Sequence, residues 1–160
     1  MRATMHLFAI SLSFLGLTAC ADHAPGPSPD DPEAAGNTVT CGTDRADAAA
    51  PGLERKGANG HYTFRLMAFE PAVLKVGSNG LTFAVVDAGG AAVSDATITV
   101  KAYMPKHGHG SSATPTIVPE GTGYKATGVL LFMPGLWEIT LTATAPGGTD
   151  SALFSFCVDG

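Results

Sequence analysis

Along residues 96–103, apolar and polar side chains alternate one by one. Ala96, Ile98, Val100 and Ala102 fall on one side, and Thr97, Thr99, Lys101 and Tyr103 on the other. Alternation of period two marks a half-buried β-strand. Apolar and aromatic runs recur at 62–69, 81–86, 124–132, 136–144 and 152–158, separated by Gly/Pro/Asp turns such as Asp87-Ala88-Gly89-Gly90. A shorter run at 114–118 carries Pro115 and is followed by Pro119. Proline cannot donate to a ladder, so this run belongs at a sheet edge. No helical periodicity persists beyond a turn. Together these segments predict about seven short strands in roughly 100 residues, an all-β antiparallel sandwich of the immunoglobulin type. Trp137, Ile139 and Leu141 alternate with Glu138 and Thr140, which places the single tryptophan in the core of the sixth strand.

The first residues follow another pattern. Arg2 precedes a short apolar run over 7–17 that is too brief to span a bilayer, which takes about 20 apolar residues. The run ends in Leu17-Thr18-Ala19-Cys20, which resembles a bacterial lipobox, with Cys20 acylated as the mature N-terminus. A secretory peptide cleaved near Ala19, with Cys20 as a stray thiol, is the alternative. Acyl chains on Cys20 would anchor the protein stably, at about 0.8 kcal/mol per buried CH₂. Ala21 at the next position favours the outer membrane under the sorting rule of enteric bacteria. Pro25, Pro27, Pro29 and Pro32 alternate with small and acidic residues, a composition that cannot bury a core. The expected organisation is a lipoprotein signal peptide (1–19), a lipidated cysteine and flexible tether (20–40) and one folded domain (41–160), on the periplasmic side of a cell envelope. His23 lies in the tether and is expected to be solvated.

Charge removes partner classes. Without Arg2 the chain keeps eight Lys and Arg against 14 Asp and Glu, a formal charge of −6. A mildly acidic domain without a basic stripe is a poor partner for nucleic acid or anionic lipid headgroups. With Cys20 acylated, Cys41 and Cys157 remain, one at each end of the folded domain. In an oxidising compartment an even pair reads as a disulfide, closing a loop worth roughly 4–5 kcal/mol in the chain-entropy account. A thiolate metal site is the alternative, but nothing else clusters near either cysteine in sequence.

The densest side-chain chemistry lies in Tyr103-Met104-Pro105-Lys106-His107-Gly108-His109-Gly110. Imidazole and thioether together select copper over harder divalent ions. Glycines at 108 and 110 give the backbone freedom to turn both rings toward one point. In successive antiparallel strands alternate connections share an end, so the strand ends near Phe69, Met104 and Met133 should meet at one pole. Met67, Met104 and Met133 are all the methionines outside the signal peptide, and this count brings each near that pole. The candidate donors are therefore Met104, His107 and His109, with Met133 or Met67 as an extra thioether. His61 begins the first strand and belongs at the other pole. Structural zinc wants four closed ligands, whereas this loop supplies two histidines. Because a protonated imidazole cannot ligate, binding should weaken in acid.

Several stretches resemble the YtkA-like (FixH-related) domains. They are residues 86–93 with the strand at 96–100, the Met104-Pro105…His107-Gly108-His109-Gly110 loop, Gly123-Tyr124-Lys125-Ala126, and Met133-Pro134-Gly135-Leu136-Trp137. The likeness covers about residues 60–145. It implies an extracytoplasmic immunoglobulin-like module of a kind associated with periplasmic copper handling and, in the FixH branch, with assembly of respiratory oxidases. The chain departs from that branch in carrying a lipobox in place of a transmembrane helix.

Two functions follow as expectations. The first is a lipid-anchored module that binds or carries copper and exchanges it with a donor or acceptor protein. The second is a structural or protein-interaction sandwich tethered to the envelope, whose His/Gly loop is only a contact surface. No nucleophile elbow, Cys-x-x-Cys, phosphate loop or carboxylate pair suggests catalysis or a small-molecule substrate, so no enzymatic activity is expected. Asp87, Asp95, Glu120 and Glu138 are scattered over turns and strand faces.

Overall fold

The computed structural model describes Cys41 and residues 46–160. The expected signal peptide, acylated Cys20 and tether with His23 lie outside the described residues. Nine strands follow one another: β1 (Glu54–Lys56), β2 (Tyr62–Glu70), β3 (Gly77–Asp87), β4 (Thr97–Met104), β5 (His109–Gly110), β6 (Thr116–Glu120), β7 (Gly123–Leu131), β8 (Gly135–Ala145) and β9 (Gly148–Val158). One sheet runs β1-β2-β3-β7-β6 and the other β5-β4-β8-β9, and every pairing is antiparallel. Without the short β1 and β5, this is the ABED/CFG order of a constant-type immunoglobulin sandwich. The hallmarks sit elsewhere: Trp137 is on the sixth of these seven strands, and the disulfide joins the chain before β1 to the end of β9.

The core follows the alternation. In β4, Ile98, Val100, Ala102 and Met104 are buried while Thr97, Thr99, Lys101 and Tyr103 are exposed. Trp137, Phe64, Phe83, Phe154 and Phe156 fill the space between the sheets. β6 is the edge strand expected around residues 114–118, displaced to Thr116–Glu120 with Pro119 inside it. β3 and β9 each begin four residues before their apolar runs, because polar side chains face inward there and are satisfied. Asn79 is buried and bonds the backbone of Lys75 and Gly77.

Asp150, the inward residue near the start of β9, is 1% exposed. Its carboxylate accepts from the backbone N–H groups of Asn59 (2.8 Å), His61 (2.8 Å), Tyr62 (3.0 Å) and Ser151 (2.9 Å). Burial pushes this carboxyl's pKa up, but the backbone donors more than offset it and leave it below the ordinary value. Gly57 is required beside it, since a Cβ there would lie 2.2 Å from the carboxyl carbon.

The start of β4 is fixed by Tyr124 on β7. Its hydroxyl accepts from the Ala96 N–H and donates to the Val93 carbonyl, both at 2.9 Å. Burial raises the phenol's pKa, the Ala96 N–H lowers it and nearby Asp95 raises it further. Cys41 is bonded to Cys157, which pairs with Leu136 near the end of β9. Asp47 is bound to β9 as well, its N–H donating to the Ser155 carbonyl and its carboxylate accepting from the Ser155 N–H.

Candidate metal centre

β4 delivers Met104 to one pole of the sandwich with its side chain inward, 1% exposed. Its carbonyl then accepts from the N–H groups of His107 (3.2 Å) and Gly108 (3.0 Å), closing a tight turn. Gly108 adopts φ 67°, the left-handed region in which a Cβ is unfavourable. That turn brings β5 back onto β4, with Tyr103 opposite Gly110 and Met104 opposite His109. Directly opposed residues project to the same face with Cβ atoms about 4.5–5.5 Å apart. The pairing therefore puts the His109 and Met104 side chains on one face of the hairpin.

His107 is exposed in the turn, and its ring centroid lies 5.6 Å from that of half-buried His109, with planes 49° apart. Two imidazoles holding one ion through nitrogens at about 2 Å have centroids roughly 5–6 Å apart once the ring radius is added. The spacing fits a shared ion. Lys106 adds a positive charge beside them, which favours a singly charged ion over a dication.

Met133 lies between β7 and β8, partly buried against the core, and its carbonyl accepts from Trp137 Nε1 at 2.9 Å. The residue before it, Phe132, stacks on His109 with centroids 5.4 Å apart and planes 19° apart, so Met133 belongs to the same neighbourhood. Met67 does not. It is the extra residue of a bulge between Leu66 and Ala68, 47% exposed on β2. β2 faces β9, as the Phe69–Phe156 ring contact at 5.7 Å shows, on the side of the sandwich away from β5. The bulge lets both Leu66 and Phe69 face inward and leaves Met67 outside, an irregularity that counting strand ends does not anticipate.

His61, exposed just before β2, lies at the other pole. Cys41 and Cys157 stand at the pole of the hairpin but on the opposite edge of its sheet, and are spent in the disulfide. Among the described residues no three His, Cys, Asp or Glu side chains gather as a metal site. The two imidazoles are brought together, with Met104 at the paired position of β4; imidazole and thioether are ligand types that suit copper.

Two residues escaped the sequence reading. Phe132 looks like the last residue of a strand, yet it falls in the connection after β7, where strand parity no longer applies, and its ring lies against both Trp137 and His109 of the other sheet. Asp150 shares the inward parity of Ala152, Phe154, Phe156 and Val158, which marks a buried carboxylate once β9 is extended backwards.

The YtkA-like family model matches residues 55–142, from β1 into β8, and so includes the whole Met/His hairpin. A comparison with curated proteins finds no match. The match spans more than half of the 160-residue chain, and the chain belongs to the YtkA-like family.

Proposed function

We propose that this protein is a lipid-anchored extracytoplasmic module that binds or carries copper through the β4–β5 hairpin. Met104, His107 and His109 supply the donors, and Met133 is an additional thioether at the rim. Thioether and imidazole favour Cu(I), and neutral imidazole also accepts Cu(II). The chain binds and releases its cargo without turning over a substrate, so its partners are a copper donor or acceptor protein and, through Cys20, the membrane. A YtkA-like sandwich closed by a disulfide fits an extracytoplasmic module. The observation that carries the copper reading is the 5.6 Å separation of the two imidazoles, one of them directly opposite a methionine.

A second reading has its own observation. Met104 is 1% exposed, as a purely structural thioether would be, and the hairpin would then be part of a protein-contact surface. Titration with Cu(I) against a competing chelator, wild type beside a His107→Ala/His109→Ala variant, separates the two. Stoichiometric binding lost in the variant supports the metal site. Binding no tighter than the chelator in both proteins rejects copper and leaves the interaction module.

A further inference from the structure

Resting on the copper reading, we propose that Phe132 is the positioning residue that holds His109 ready for metal and biases the hairpin toward Cu(I). Three aromatic rings lead outward from the core in contact. Trp137 is fully buried, with its Nε1 donating to the Met133 carbonyl at 2.9 Å. Phe132 meets Trp137 edge-on, with centroids 5.3 Å apart and planes 77° apart. Its ring then lies nearly parallel to His109 at 5.4 Å. Edge-to-face and offset-stacked pairs of this kind are favourable beyond their buried area.

The clamp is selective. His109 is stacked on a ring fixed to the core, whereas exposed His107 touches no ring among the described residues except His109. One imidazole is thus oriented before metal arrives, which lowers the ordering cost of the first coordination bond. Phe132 itself is 41% exposed, so its ring stands at the surface as a lid over one face of His109. An apolar cover beside the ligand atoms disfavours a dication more than a monocation, because the hydration lost costs more for the higher charge. Together with the buried Met104 thioether opposite His109, it makes an apolar wall that favours Cu(I).

The test uses the protein as the cell processes it, purified in detergent, with Phe132→Leu, Phe132→Ala and the conservative Phe132→Tyr. Cu(I) and Cu(II) affinities are measured by chelator competition. The expected result is a roughly tenfold loss of Cu(I) affinity in the Leu and Ala variants, the scale of a lost outer-shell partner. Cu(II) affinity should fall less, and Tyr should restore the wild-type ratio. A metal-free readout accompanies it: His109 ring protons should shift upfield in wild type and Phe132→Tyr, and lose that shift in Phe132→Leu. Unchanged Cu(I) affinity and an unchanged Cu(I)/Cu(II) ratio in folded Leu and Ala variants overturn the role of Phe132 and leave the copper site standing. Absence of copper binding by the wild type overturns both.

Discussion

At the pole where β1 turns into β2, the Asp150 carboxylate is 1% exposed and accepts from four backbone N–H groups. At the opposite pole, among the described residues, the hairpin's hydrogen bonds are made by backbone, and the two imidazoles meet aromatic rings instead of polar partners. A buried charge must be fully paired or its desolvation is uncompensated, so the first arrangement holds the fold together. Donor atoms that make no hydrogen bond among the described residues add little to the stability of this fold and are open to a ligand. The contrast separates a polar cluster that fastens the structure from one that is chemically open, even though both are built from turns at strand ends.

The largest effect should come from the fastened pole. Asp150→Asn keeps the side chain's shape but sets an amide NH₂ among N–H donors, and should cost about 3 kcal/mol of unfolding free energy. Urea midpoints measure it, and a loss below about 0.5 kcal/mol would reduce the cradle to an ordinary surface feature. The acid response follows from the same carboxylate. Its folded pKa is lowered, so its stabilisation is complete above the unfolded carboxyl value near 3.9 and is lost as pH falls from there toward the folded pKa. The stability gap between wild type and Asp150→Asn should therefore hold steady from about pH 7 to 5 and shrink below about pH 4. A gap that instead widened in acid would contradict the direction of the shift.

How much of this contrast the sequence reveals depends on whether polarity and parity agree. β4 is fully legible, because every inward position from Ile98 to Met104 is apolar and every outward one is polar or exposed. The disulfide is legible too, since the lipobox reading of Cys20 leaves an even pair with one possible pairing. β9 is legible only from Ala152 onward, because Asp150 is polar at an inward position and three of its four donors are backbone groups 88 to 91 residues away in sequence. Met67 misleads for a local reason: the bulge that turns it outward has no glycine or proline to announce it. Of the candidate site, His107, His109 and Met104 are legible as a motif. The approach of the two rings and the pairing of His109 with Met104 depend on β5, a two-residue strand too short to leave a periodic signal.

The smallest effect on stability is expected at the open pole, and it sharpens the contrast most. His107 is exposed and His109 is half-buried against Phe132, so the His107→Ala/His109→Ala variant loses one stacking contact and no buried hydrogen bond among the described residues. Its unfolding free energy should stay within about 1 kcal/mol of wild type, a few-fold smaller than the Asp150→Asn loss. Urea denaturation of both variants under identical conditions measures the difference. A double-histidine loss approaching that of Asp150→Asn would mean the imidazoles fasten the hairpin to the sandwich. Their loss of Cu(I) binding would then be a consequence of local unfolding, not of missing ligands. A near-silent stability change with abolished Cu(I) binding would place the two histidines at a site the fold supports but does not need.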